Sequence, residues 1–347
     1  MHDRGHSSSG GISAAAILLA ALSGMPPVAV PVQVYVGGDA LFSKTWSAAE
    51  GAGPLANAQS CAACHATPRP GGAGREPESL VLISDEERDD TGGHVFRRFL
   101  LRPGRAVVKR PLPRRVFTRR APALFGLGLL EQVPLDAVAA GADPDDRDGD
   151  GISGRLPSTG GRFGWKSRFT TLEQAVAAAL INELGLTSPI FPAGGGSHEV
   201  EVTAGQLARL TAFVRGLPPP PRGLASGSVP TGEASFREIG CASCHTPRLP
   251  ASASATSIAA YTDLLLHDMG PALADGFPEG DAAPAEFRTP PLWGLASTGP
   301  PFLHDGRADS VDMAIRLHDG EAAASRQRYE RLTQAQRAAL VRFLNSL

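Results

Sequence analysis

The chain has 347 residues, 42% hydrophobic and 20% charged, with a formal net charge of −2. That length and apolar content exclude a disordered chain and leave room for two ordinary domains, while the near-neutral balance gives no global reason to expect nucleic acid or an acidic polymer as partner. Gly 40 and Pro 30 beside 6% aromatic residues fit helices joined by long irregular loops better than an all-β sandwich.

The chain opens with a polar stretch and then "ISAAAILLAALSG", too short to span a bilayer but suited to a secretory apolar core. Residues 1–30 are therefore read as a signal peptide or disordered leader, and the mature protein as soluble and exported, to the periplasm or beyond. No later segment offers the roughly 18 uninterrupted apolar residues of a membrane span.

Every cysteine lies in one of two pentapeptides, Cys61-Ala-Ala-Cys64-His65 and Cys241-Ala-Ser-Cys244-His245. Two thiols spaced by two residues with His directly after them can capture both vinyl groups of a haem while the imidazole reaches the iron. Two covalently bound haem c groups are expected, with His65 and His245 as proximal ligands. A four-thiolate zinc site fits less well, because each pair carries its own His in its own repeat unit. A thioredoxin-like redox pair would need a βαβ context, which is not visible.

The motifs belong to an internal repeat. "VTAGQLARLTAFVRGL" and "LTQAQRAALVRFLNSL" align at an offset of 130, and both open on a T-x-x-Q capping box that predicts an amphipathic helix. "RAPALFGL" from Arg120 and "RTPPLWGL" from Arg288 align at 168, and the haem motifs at 180. The order repeats, so the chain reads as a tandem duplication, with "GLPPPPRG" around Pro218 to Pro221 as linker. The expected units are 31–221 and 222–347.

The first unit is longer and contains "DPDDRDGDGISGR". Asp146, Asp148 and Asp150 alternate before Gly151, as in a calcium loop, although its twelfth position is Pro157 and not a bidentate Glu. Calcium and a solvated acidic turn both remain open. Between Arg97 and Arg120 there are ten basic residues and no acidic one; this is a solvated loop that neutralises haem propionates, or a docking face for an acidic electron donor.

Aligning the units through Arg168 and Arg307, an offset of 139, sets His318 opposite Ala179. One unit offers a second axial donor where the other offers a methyl, so His318 is the candidate sixth ligand of the C-terminal haem, with a core histidine as the plain alternative. Met269, Met313, His267 and His304 are rivals for ligation or for shaping a haem edge; His94 and His198 read as solvated. The N-terminal haem would then be open. Glu183 could move a proton between peroxide oxygens and Gln174 could orient the bound ligand. Trp165 is either core or an electron relay.

With these residues in view, the tandem C-x-x-C-H motifs, "RTPPLWGL" and "FLHDGRA…AIRLH" resemble the bacterial dihaem cytochrome c peroxidase and MauG superfamily. "LFGLGLLEQVP", "DPDDRDGDGISGR", "GRFGWKS" and "YTDLLLHDMG" are similar to its dihaem oxidoreductase, or thiol oxidoreductase-like, branch. The resemblance implies a mainly α fold of two tandem cytochrome c-like haem domains with long irregular loops. It also implies an open peroxidatic haem in the first domain and a six-coordinate electron-entry haem in the second. By that pattern Trp165 matches the inter-haem tryptophan, Gln174 the distal glutamine and Glu183 the distal acid. Departures are Lys166-Ser167-Arg168 where such peroxidases read Asp-Gly-Arg, one residue fewer before Gln174, and His318 where they carry Met or Tyr.

The expected activity is that of an exported dihaem peroxidase-like oxidoreductase, with peroxide as oxidant and a small cytochrome or copper protein as electron donor. A purely electron-transferring dihaem cytochrome and a dihaem oxidase of an organic or protein substrate are the alternatives.

Overall fold

A computed structural model describes residues 37–88, 93–192, 200–223, 229–252 and 257–347. The leader at 1–30 and His198 lie outside the described residues.

Each repeat begins with a helix that crosses the last helix of the same repeat. In the first, α1 (Gly38–Ser43) packs on a helix at Ala204–Gly216; in the second, Val229–Glu238 packs on Gln334–Asn345. The crossings are close because glycine sits at each: a Cβ at Gly38 would stand 2.4 Å from the Arg209 carbonyl oxygen, and one at Gly232 would stand 2.2 Å from that of Ala339. A phenylalanine four residues on completes each crossing, with Phe42 5.0 Å from Phe213 and Phe236 5.4 Å from Phe343 between ring centroids. Gly38-x-Ala-x-Phe42 and Gly232-x-Ala-x-Phe236 share one offset (232 − 38 = 236 − 42 = 194), a further echo of the duplication. The two long terminal helices start on the expected capping boxes, Thr203 with Gln206 and Thr333 with Gln336.

Other helices also recur. Leu127–Leu130 and Leu295–Thr298 follow the R-x-P-x-L echo and begin at the left-handed glycines Gly126 and Gly294. Leu172–Ala179 matches Val311–Leu317, and the side chains of Thr171 and Ser310 cap them at the same offset of 139 used to align His318.

The expectation of a mainly α fold needs correction. The fold is helix-rich but mixed, with ten short strands among the described residues forming four small antiparallel sheets. One joins Leu55–Ala56, Phe99–Leu100 and Val108–Lys109 in that order; another joins Val95–Phe96, Leu80–Ile83 and Phe117–Arg120. The basic stretch thus contributes three short strands, Phe99–Leu100, Val108–Lys109 and Phe117–Arg120, the last of which buries Arg119 and Arg120. Leu249–Pro250 pairs with Ser257–Ile258, and Leu266–Asp268 with Glu286–Arg288.

Three apolar clusters hold the molecule together. One gathers Phe42, Trp46, Leu172, Leu207 and Leu210 in the first repeat, and another gathers Phe236, Tyr261, Tyr329, Leu340 and Phe343 in the second. The third joins Phe125, Leu129 and Leu130 to Leu264, Leu265 and Trp293, so it draws on both repeats.

The seam between them is reciprocal. Arg120 N–H donates to the His304 carbonyl (2.6 Å), and its counterpart Arg288 N–H donates to the carbonyl of Trp165 (2.8 Å), the residue equivalent to His304. Both carbonyls belong to matching tight hairpins, bridged Phe163 to Phe169 and Phe302 to Ala308. The Trp165 and His304 rings meet edge to face across this seam, with centroids 6.3 Å apart. Among the described residues no helix is long and apolar enough to cross a membrane.

Candidate functional site

The seam opens onto one internal cavity of about 530 Å3, walled mostly by apolar side chains and reached by both C-x-x-C-H motifs. Each motif folds the same way. Cys61–Ala63 and Cys241–Ser243 are single 3-10 turns, and the following His N–H bonds back to the first Cys carbonyl, at 3.0 Å for His65 and 2.9 Å for His245. This short turn brings two thiols and one imidazole to the same side of the chain. None of the four cysteines is in a disulfide. Burial pushes the thiols of Cys61 and Cys241 up to about 12 and that of Cys64 up to about 11, so they are held neutral in an apolar wall.

Of the five imidazoles that line the cavity, three share one chemical state. Nδ1 of His65 lies 2.9 Å from the Pro122 carbonyl oxygen, that of His245 lies 3.0 Å from Tyr261, and that of His318 lies 2.7 Å from Ala314. A carbonyl only accepts, so each Nδ1 carries the proton and each Nε2 keeps a lone pair, the tautomer a metal requires. Burial lowers the pKa of all three; for His245, burial and then the nearby His318 bring it to about 4. Neutral imidazoles are thereby maintained.

The cavity walls also carry two buried guanidiniums anchored on carbonyl oxygens. Arg120 Nε donates to Gly74 (2.7 Å), and Arg288 donates to Gly164 (3.2 Å) and Thr289 (3.0 Å). Burial lowers both to about 10. A buried cation held by neutral dipoles gains most from an added anion, and a porphyrin brings two carboxylates. Thiol pairs, imidazoles with Nε2 available and these arginines therefore fit haem.

Glu183 stands at the wall beside Cys64, whose pKa it helps to raise. It lies in a π-helical turn, Leu180–Leu184, that continues the helix from Leu172, and such widened turns recur at functional sites. Its Oε2 accepts from Asn57 Nδ2 at 2.9 Å. Ala179 also lines the cavity, while its counterpart His318 lines it at the other haem motif.

Gln174 is placed differently from the expectation. It is not among the cavity-lining residues; its Oε1 accepts from Thr170 N (3.1 Å), Thr170 Oγ1 (2.9 Å) and Thr171 N (3.3 Å), completing a capping box. Thr171-Leu-Glu-Gln174 is the same T-x-x-Q signature that marks the terminal helices, so the signal was present in the sequence.

Trp165 does line the cavity, and its indole N–H donates to the Arg120 carbonyl (2.9 Å). The neighbouring Lys166 is buried. Its ammonium donates to the carbonyls of Ala283 (2.8 Å), Pro284 (3.0 Å) and Glu286 (3.0 Å), pairs with Asp275 at 3.3 Å and lies 4.1 Å from the Phe287 ring centre. Asp275 is shared with Arg119, which also bonds Glu279. His304 stacks on Phe287 with centroids 3.8 Å apart.

Of the rival ligands, His267 has both ring nitrogens engaged by carboxylates, Nε2 with Asp263 (2.8 Å) and Nδ1 with Glu321 (2.7 Å). Burial opposes its charge, yet these bonds and that to Cys244 raise its pKa to about 12, so it is a protonated imidazole. Met269 faces the cavity, whereas Met313 is exposed. His94 is half-buried and stacked on Phe277 at 4.9 Å, not solvated as expected.

Carboxylate oxygens of Asp146, Asp148 and Asp150 lie within 4.8 Å of one another. They already accept backbone N–H groups of the turn, Asp146 from Gly151 (3.1 Å), Asp148 from Asp150 (3.2 Å) and Asp150 from Ile152 (2.8 Å). The stem of this turn is tied to the partner of His267, with Ser153 bonded through N and Oγ to Glu321.

Residues 198–347 match the family described as "Di-haem oxidoreductase, putative peroxidase". Over this stretch the chain is similar to that family, in keeping with the resemblance carried by its sequence motifs. Among solved structures, hydrazine synthase of Kuenenia stuttgartiensis, determined under xenon pressure, aligns over 100% of this chain and 98% of its own, with 15% identity and a TM-score of 0.52, a likeness of fold. A MauG-like protein associated with microbial copper homeostasis aligns over 93% of each chain at 16% identity and a TM-score of 0.44. No curated protein matches.

Proposed function

We propose that the chain is an exported dihaem c-type oxidoreductase of peroxidase type, with its open haem on His65 and a six-coordinate haem between His245 and His318. The observation that supports it most is the asymmetry of one cavity: three imidazoles with Nε2 available, two at the second motif and one at the first, where Ala179 and Glu183 stand instead. Haem, when bound, supplies iron that exchanges single electrons and, where one face is open, accepts peroxide.

The protein residues do the rest. Nδ1–H of each imidazole is fixed on a carbonyl, which orients the ring and strengthens Nε2 as a donor. Glu183 takes the proton from the nearer peroxide oxygen and delivers it to the departing one, so that water leaves instead of hydroxide. Trp165, which lines the cavity and meets His304 at the seam, provides an aromatic bridge for electrons. An acidic redox protein suits the exposed hairpin around Arg102, Arg105 and Lys109, where Val107 and Val108 are also exposed.

The test is peroxide reduction by Glu183→Gln at full haem content. The proposal expects turnover to fall on the order of a hundredfold; unchanged turnover would remove Glu183 from the mechanism.

A further inference from the structure

Glu183 is gripped by the segment that leads into the first C-x-x-C-H motif. The four residues before the first C-x-x-C-H motif, Asn57 to Ser60, run along the π-helical turn, and two consecutive backbone N–H groups, of Asn57 (2.7 Å) and Ala58 (3.0 Å), donate to the Glu183 carbonyl. The Asn57 side chain then takes the carboxylate as well: Nδ2 donates to Oε2 at 2.9 Å. The other end of the same carboxamide is fixed, because Oδ1 accepts the Arg98 backbone N–H at 2.9 Å. That acceptor bond settles which end of the amide is nitrogen, so the group facing Glu183 is a donor. Asn57 is itself buried, at 5% exposure, where a misplaced amide would be costly and only a well-defined rotamer satisfies both partners.

We propose that Asn57 is a positioning residue for the peroxide site: its carboxamide, anchored on Arg98 N–H, aims the Glu183 carboxylate into the cavity. This rests on the reading of Glu183 as the proton carrier. A proton shuttle has to sit within hydrogen-bond reach of two oxygens in turn, and a carboxylate swinging on three torsions would spend little time there. One donated hydrogen bond from a fixed amide removes that freedom without supplying a second acid. The same chain segment carries Cys61, so the proton carrier and the first haem anchor are set by one continuous piece of backbone.

Asn57→Asp is the sharpest perturbation. It retains an oxygen for Arg98 N–H but turns the donor facing Glu183 into an acceptor. Two readouts are needed beside haem content and far-UV circular dichroism: the association rate of cyanide with the ferric protein, and peroxide turnover. Hydrogen cyanide must give up a proton as it binds, so its association rate reports on a nearby proton acceptor without any turnover. Loss of such an orienting partner typically costs 10–100-fold, so both rates should fall about tenfold, and Asn57→Asp combined with Glu183→Gln should be no slower than Glu183→Gln alone.

Should Asn57→Asp fail to take up two haems, Asn57→Ala serves in its place, with added acetamide expected to restore the cyanide rate in that variant but not in one also carrying Glu183→Gln. Unchanged rates in the Asn57 variants, losses that multiply in the double variant, or no restoration by acetamide would overturn the proposal. If Glu183→Gln itself leaves both rates unchanged, the reading of Glu183 fails first; if it slows them while Asn57→Asp does not, only the role of Asn57 is lost.

Discussion

Lys166→Met offers a calculation that can be checked directly. The Lys166 side chain has no exposure, and burial, outweighing the attraction of Asp275, brings its pKa from 10.5 to about 8. At about 1.4 kcal/mol per pH unit, the charged form in the folded protein carries a cost of roughly 3 kcal/mol. Below pH 8 the lysine is charged in folded and unfolded chains alike, and the cost is present in full. Between about 8 and 10.5 the folded chain sheds a proton that the unfolded chain keeps, so stability rises with pH; above 10.5 the two states again match. Met has similar length and retains contact with Phe287, but three carbonyls lose their donor, at about 1 kcal/mol each, which nearly cancels the relief of desolvation near neutrality. Urea unfolding at pH 7.5 should therefore find the variant close to the wild type, and at pH 10 about 2 kcal/mol less stable. Other titrating groups are common to both proteins and drop out of the difference. Parallel stability curves across this range would refute the reasoning.

Two further outcomes test the fold. Gly232→Ala places a methyl against the Ala339 carbonyl at the helix crossing and should lower stability by about 1–3 kcal/mol, whereas Gly216→Ala, with open space at its Cβ, should be neutral or stabilising by up to about 1 kcal/mol; thermal unfolding of the pair checks this. Gln174→Ala should cost about 1 kcal/mol through the lost cap and leave peroxide turnover unchanged, since its carboxamide faces the start of its own helix; a large loss of turnover with little change in stability would show that it reaches the substrate.

Much of the site was legible because its chemistry is written locally. Both haem motifs need their five residues in one turn, and the cavity collects them as the repeat required. The offset that set His318 opposite Ala179 also relates Trp165 to His304, whose carbonyls accept from Arg288 and Arg120 across the seam. What escaped detection depends on distant chain segments. The donors to Glu183 come from 126 positions away, and the carbonyls around Lys166 lie more than a hundred residues on. Neither leaves a pattern in a linear string. His267 looked like a rival ligand until Asp263 and Glu321 closed on its two nitrogens. The strands within 97–120 were hidden by their brevity, since runs of two residues, or four as in Phe117–Arg120, are too short to show an alternating period. Gln174 was a different kind of miss, because its capping signature was as plain as those of Thr203 and Thr333.

The central claim is the inequality of the two irons, and electron paramagnetic resonance of the ferric and half-reduced protein measures it most directly. The account predicts a low-spin signal from the His245 and His318 site that is lost in His318→Ala, and a high-spin signal from the His65 site in the half-reduced wild type. Two low-spin centres at both oxidation levels would contradict it and leave a protein that only conducts electrons.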